Sequence, residues 1–135
     1  MQNQYTVVFS AWRAGNDLIT NIEASKRVRI FLDECKLPHW DAVGAFKEAN
    51  HTHHTQEVSH VVHCADEDDV LALITYACTV FAQDCVLVVK SSDNSASLES
   101  PTESIDLGTL TQVNQALARK NEVYTYFLGD YYICE

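Results

Sequence analysis

Six histidines, five cysteines and 19 acidic residues are the groups in this 135-residue chain with the most obvious chemical potential, and their spacing sorts them. His51, His53, His54, His60 and His63 fall close together, and alternate positions on a strand or loop can converge on zinc. Here His51-Thr52-His53-His54 is a polar loop, and no acidic or cysteine partner stands at a standard ligand spacing. No metal is therefore expected. Cys85 follows Asp84, a pair that suggests a nucleophile, but no base is in view and Cys85 opens an apolar run. A buried structural thiol is the plainer reading. Glu57 stands at the start of a β-forming run, where a glutamate taken alone is an ordinary solvated carboxylate. Arg13 and Lys90 close two apolar runs and can equally meet a substrate carboxylate or face solvent. Phe46 taken alone is a core aromatic.

Whole classes of chemistry are excluded by what is missing. No phosphate-binding Walker loop, dinucleotide glycine fingerprint or Ser-His-Asp order is present among residues that include only four glycines. Net charge is −10, which argues against binding a nucleic-acid backbone. The acidity reads mainly as solubility. It also permits attraction of a cationic small molecule, or mimicry of DNA toward a DNA-binding protein. The longest apolar stretch, Cys85 to Val89, is too short to cross a bilayer, so no membrane partner is expected. An odd number of cysteines without a Cys-x-x-Cys pair fits reduced thiols, and no basic region followed by an apolar one is visible at the N-terminus, so the expected compartment is a bacterial cytoplasm.

The elements that must position these groups read as one domain over residues 1–135, 47% hydrophobic and able to bury a core. Residues 4–12 form a buried strand, broken by Ala14-Gly15-Asn16-Asp17. A helix follows between Ile19 and Leu37, capped by Thr20 or Asn21, with Ile22, Val28, Ile30, Phe31 and Leu32 at approximately helical spacing and Pro38 as its stop. A second strand lies within 40–48 and a third at Val58 to Cys64. Asp66 caps a second helix whose first turn is acidic and whose apolar residues, Val70 to Phe81, follow the i, i+3, i+4 rule. A strand at 84–90 comes next. The serine-rich stretch Ser91 to Ser104 reads as a flexible loop, residues 107–120 fit a short strand or a short helix, and Gly129-Asp130 turns a C-terminal hairpin. The order strand, helix, strand, strand, helix, strand predicts an α+β, ferredoxin-like βαββαβ sandwich with an added C-terminal β-hairpin. Both helices cover one face of such a sheet. The other face is left bare, which predicts oligomerisation.

Four words of the sequence carry a resemblance. They are Ser10-Ala11-Trp12-Arg13, Gly44-Ala45-Phe46-Lys47-Glu48-Ala49, Glu57 eleven residues after the aromatic, and Phe81-Ala82-Gln83-Asp84-Cys85-Val86-Leu87-Val88-Val89-Lys90-Ser91. In order and in spacing, over residues 5–92, they resemble the phage S-adenosylmethionine (AdoMet) lyases, formerly called AdoMet hydrolases. The last third of the chain carries little of the likeness. The resemblance implies a catalytic glutamate at Glu57, an aromatic substrate wall at Phe46, and adenine contacts, largely through backbone, near Ser91 and Ser92. It implies no cofactor and no metal, a homotrimer with active sites between subunits, and removal of host AdoMet against restriction and methylation during infection. Phe46 departs from the pattern, since the family carries a tyrosine there. The glycine-rich loop of AdoMet methyltransferases is absent.

The implied reaction needs little from the protein. The methionyl carboxylate of AdoMet attacks its own γ carbon, expelling methylthioadenosine and closing homoserine lactone. Carboxylate meets sulfonium and charge is annihilated, so a dry pocket favours the reaction and folding the substrate supplies the entropic part. A glutamate beside the sulfonium would slow this step, so Glu57 is expected to hold the α-ammonium or orient the methionyl chain. Two other readings stand beside the lyase: a hydrolase in which Glu57 activates water and homoserine forms directly, and an acidic, non-enzymatic inhibitor of a host nuclease or methyltransferase.

Overall fold

The computed structural model describes residues 4–47 and 53–135, and among them eight antiparallel strands close into a barrel. In chain order the elements are β1 (Tyr5–Phe9), α1 (Leu18–Glu34), β2 (His39–Phe46), β3 (Thr55–Cys64), α2 (Glu67–Val80), β4 (Val86–Lys90), β5 (Ser95–Glu99), β6 (Ser104–Val113), α3 (Gln115–Lys120), β7 (Val123–Phe127) and β8 (Asp130–Cys134). Around the barrel the strands run β1-β3-β2-β7-β8-β6-β5-β4 and return to β1.

The ferredoxin-like sandwich is thus corrected. Residues 5–90 do follow the order strand, helix, strand, strand, helix, strand, but the sheet does not stop at their edges. On one side the C-terminal hairpin pairs through β7 with β2, from Val43↔Tyr126 to Phe46↔Val123. On the other, β4 pairs with β5, which lies in the stretch expected to be a flexible loop. Its serines are short enough to alternate with Ala96 and Leu98 in a strand, so composition mistook a strand for a flap. Residues 107–120 hold both options in succession, the end of β6 and then α3. β6 joins β8 and closes the ring. Near that seam the register of β5 against β6 shifts, and Gly108 takes φ +86°, where an added Cβ would lie 2.3 Å from the Glu135 carbonyl oxygen. Only glycine fits there.

The bare sheet face disappears with this closure, because it encloses the barrel lumen; it no longer supplies an argument about oligomerisation in either direction. The hydrophobic core lies outside the barrel, where alternate residues Val7 and Phe9 of β1, Val62 and Cys64 of β3, and Val86 and Val88 of β4 pack under α1 and α2. Leu32 from α1 and Leu73 from α2 are fully buried there, each contributing roughly 1.5–3 kcal/mol by removal from water. α2 is capped by Asp66, whose side chain accepts from the Asp69 amide at 3.0 Å, as its sequence predicts.

α1 differs from its reading. Asp17 is the cap, accepting from the Thr20 amide at 2.8 Å, while Ile22 and Ile30 are exposed. Its buried stripe includes two polar residues that bracket the end of β1. Asn21 Oδ1 accepts from the Arg13 amide and its Nδ2 donates to the Arg13 carbonyl. Ser25 Oγ accepts from Trp12 Nε1 at 2.9 Å. Satisfied polar brackets fix the helix in register where apolar periodicity alone is weak.

Candidate active site

Strand alternation decides which side chains meet inside the barrel. On β3 the inward residues are Glu57, Ser59, Val61 and His63, and their outward neighbours, including Val62 and Cys64, belong to the core under the helices. One strand therefore carries a carboxylate at one end of the lumen and an imidazole at the other, roughly 20 Å apart along the chain. The lumen holds two chambers. The larger, of about 590 Å³, is lined by Glu57, Phe46, Ser59 and Cys85 among mostly apolar residues. The smaller, of about 330 Å³, is lined by His63, Ser91, Asn94 and Phe127. Val8, Leu87, Leu110, Thr125 and Tyr132 line both, so they form the waist between them. An eight-stranded barrel is wide enough to hold one small ligand.

Glu57 is half-buried and makes no hydrogen bond or ion pair to any described residue. Burial alone pushes its carboxyl above the ordinary carboxylate range. Its floor is Gly44, its Cα partner on β2, where an added Cβ would lie 2.7 Å from Ser59 Oγ and 3.7 Å from Glu57 Cγ. The absence of a side chain at Gly44 leaves the carboxylate room to face the chamber. Phe46 follows two residues along the same face and also lines the chamber.

Of the residues singled out from sequence, Glu57 and Phe46 come together, and Ser91 lines the adjoining chamber. Ser92 does not join them; it lies in the exposed turn after β4. Arg13 and Lys90 also stay outside. The Arg13 guanidinium donates to the Ala82 carbonyl, and Lys90 borders an outer groove beside Tyr5 and Glu67. Cys85 is half-buried rather than fully buried, and burial pushes its thiol up, away from the nucleophilic thiolate. Among the described residues no three His, Cys, Asp or Glu side chains gather as metal ligands. His51 lies outside the described residues. His54 Nε2 is 2.7 Å from the Asn121 carbonyl, and His60 points away from the lumen, under α1. Sequence reasoning missed His63, Thr125 and Tyr132. The first was weighed only as one of five possible metal ligands, and the other two sit in the stretch that the resemblance barely covers.

A mostly apolar lumen, with the half-buried Glu57 carboxylate facing it without a partner among the described residues, suits a small cationic molecule. The family model of the S-adenosylmethionine lyase family matches residues 7–135, and the chain belongs to this family. It is a lyase that degrades AdoMet, and the match extends through the last third of the chain. No curated protein matches the chain. No helix among the described residues is long and apolar enough to cross a membrane.

Filling the space above Gly44 tests the chamber. Gly44→Ala is accommodated by turning Ser59. Gly44→Val, by contrast, displaces Glu57 and is expected to lower kcat/KM for AdoMet by about tenfold to a hundredfold, with a stability loss of about 1–3 kcal/mol. Steady-state kinetics beside chemical denaturation separate the two effects.

Proposed function

We propose that the lumen binds AdoMet lengthwise and cleaves it to methylthioadenosine and homoserine lactone by attack of the substrate's own carboxylate on its γ carbon. The observation that carries this reading is Glu57: a half-buried carboxylate, unpaired among the described residues, facing an apolar chamber of about 590 Å³. The methionyl end lies in that chamber, with the α-ammonium on Glu57 and Phe46 as wall. The adenine occupies the smaller chamber near Ser91, against His63 and Phe127. His63 is pushed below its ordinary pKa by burial, so at neutral pH it is an uncharged hydrogen-bonding group.

Apolar walls supply the catalysis. They withhold solvation from a separated carboxylate and sulfonium, whose charges cancel as the new C–O bond forms and the C–S bond breaks. The chamber holds the chain folded, with the oxygen in line with the scissile bond. Phe46 keeps this wall without a hydroxyl, which suits an environment meant to be dry. The carboxylate of Glu57 stays with the ammonium and away from the sulfonium, whose stabilisation would deepen the ground state. Ser92, set in its turn, takes part at most through neighbouring backbone.

In a host cell this activity would strip AdoMet from restriction and methylation systems. The assembly implied by the resemblance, a homotrimer, would form on outer surfaces, since the inner sheet face is committed to the lumen. A hydrolase remains the second reading, favoured only by the upward-shifted Glu57 carboxyl, which suits a general base. A proton NMR time course decides between them. Homoserine lactone is expected with methylthioadenosine in the earliest spectra; homoserine from the first points, without lactone, would make Glu57 a base acting on water.

A further inference from the structure

The geometry points to Arg13 as a positioning residue for the AdoMet reaction: its guanidinium holds the turn after α2 that walls the Glu57 chamber. The inference rests on Glu57 marking the reaction site, and not on how much of the substrate one chain encloses. It starts from where a ladder stops. β1 pairs with β3 only as far as Phe9↔His60, and with β4 only as far as Val8↔Leu87. β3 runs on past that point to Glu57, and the chain leading into β4 carries Gln83 and Cys85. Side chains of Ser10-Ala11-Trp12-Arg13 bridge the two where the β1 ladder has ended. Ser10 Oγ donates to the Val58 carbonyl at 2.7 Å, one residue from Glu57, and accepts from the Trp12 amide at 3.0 Å. Gln83 Nε2 donates to the Trp12 carbonyl at 3.0 Å, and the Arg13 guanidinium donates to the Ala82 carbonyl. Ser10, Glu57, Gln83 and Cys85 all line the chamber that this bridge spans.

The turn needs such a hold. Ala82 takes φ +53°, the left-handed conformation that glycine usually supplies at the end of a helix. A side chain in that conformation persists where its surroundings over-determine it. Here the surroundings are two cations: Arg13 on the Ala82 carbonyl, and Arg27, whose guanidinium carbon lies 5.2 Å from the centre of the Phe81 ring. A charged donor on a carbonyl is stronger than a neutral one. Arg13 is fixed in turn, because Asn21 of α1 bonds both its amide and its carbonyl. Arg13 itself borders an outer groove with Arg27 and Ala82, and is not part of the chamber lining. It therefore acts through the turn, keeping Gln83 and Cys85 in place as a wall that excludes water. Cancellation of carboxylate and sulfonium charge depends on that exclusion.

The experiment measures kcat and KM for AdoMet, beside thermal melts, in the unaltered protein, Arg13→Ala, Arg13→Lys and the double variant Arg13→Ala with Ala82→Gly. Arg13→Ala is expected to lower kcat about tenfold while KM changes by less than about threefold. Arg13→Lys keeps a cationic donor and should recover most of that loss. In the double variant glycine relieves the backbone, so the melting midpoint should rise by a few degrees over Arg13→Ala while kcat stays low. A merely stabilising role would instead return kcat together with the midpoint. That result, or an unaltered kcat in folded Arg13→Ala, would overturn the inference. If Arg13→Ala does not fold, the more stable double variant is compared with the unaltered protein, and full kcat there overturns the inference as well. Glu57→Gln, measured alongside, separates the two readings. Full activity in that variant would overturn the site and the positioning role together, whereas an enzyme that needs Glu57 but is indifferent to Arg13 would overturn the positioning role alone.

Discussion

Glu57→Gln lowers kcat/KM for AdoMet by about a thousandfold and leaves the protein folded. The side chain that remains has the same shape but cannot neutralise an ammonium. A charge left unpaired in a desolvated site costs about 2–5 kcal/mol, equivalent to roughly thirtyfold to several thousandfold. Stability should hold or rise. Burial raises the Glu57 carboxyl above its ordinary value of 4.5, so the unfolded chain ionises more readily than the folded one. Stability therefore falls as pH rises from that ordinary value through the folded one, and the amide removes the cost. Activity has the opposite dependence. An ammonium needs the ionised carboxylate, so KM should climb as pH falls through the raised Glu57 pKa, and this acid limb should be missing from the residual activity of the variant. Steady-state kinetics across pH, with thermal melts of both proteins, give the answer. Full activity in Glu57→Gln would remove Glu57 from the mechanism.

Acid weakens the fold through His60 by about 3 kcal/mol between pH 6.5 and about 4. His60 is fully buried on the outer face of β3, against Phe9 of β1, with Asp41 of β2 and Arg29 of α1 nearby. Nδ1 is 3.3 Å from Asp41 Oδ1, within ion-pair range but without hydrogen-bond geometry, and Nε2 has no partner among the described residues. Burial drives the imidazole from 6.5 to about 4, outweighing the pull of Asp41, which is itself bound by Arg29 at 2.8 Å. The sign follows from proton uptake. Between these values the unfolded chain binds a proton that the folded one refuses, so stability is full above pH 6.5 and is lost as pH falls to about 4. Ser59 and Val61 flank His60 and line the lumen, so the same loss opens the site. His60→Leu should be near neutral at pH 7, since it removes two unsatisfied nitrogens, and should flatten this part of the stability profile. Denaturant melts at several pH values measure it; an unchanged slope in His60→Leu would assign the acid sensitivity elsewhere.

The local pattern of the chain carried much of the architecture. Asp66 before three acidic residues and the spacing from Val70 to Phe81 fix α2, and Gly129 between two β-forming runs fixes the C-terminal hairpin. In α1, Val28 and Leu32 are buried as their spacing predicts, but Ile22 and Ile30 face out, because the buried stripe also includes Asn21 and Ser25, polar residues whose value lies in partners at Trp12 and Arg13 that periodicity does not register. β5 was lost because serine marks turns by composition and fits strands by size. The lumen, too, was beyond a local reading. Glu57 and Phe46 are eleven residues apart and their proximity is set by the β2–β3 pairing, but Thr125 and Tyr132 reach the same cavity only because the hairpin docks on β2.

By itself, then, the sequence determined the Asp66 cap of α2, the strand-forming runs before residue 91 and in the C-terminal hairpin, the acidic charge and the words shared with AdoMet lyases. Each depends on residues within a turn or two of one another, or on likeness read position by position. Only the tertiary structure decided that the sheet closes, that its second face is a lumen rather than an open surface, and that Ser92 stays outside while Tyr132 turns in. Closure depends on both edges of the sheet finding partners at once, β2 with β7 and β4 with β5, and no stretch of sequence near either edge encodes where the other will be.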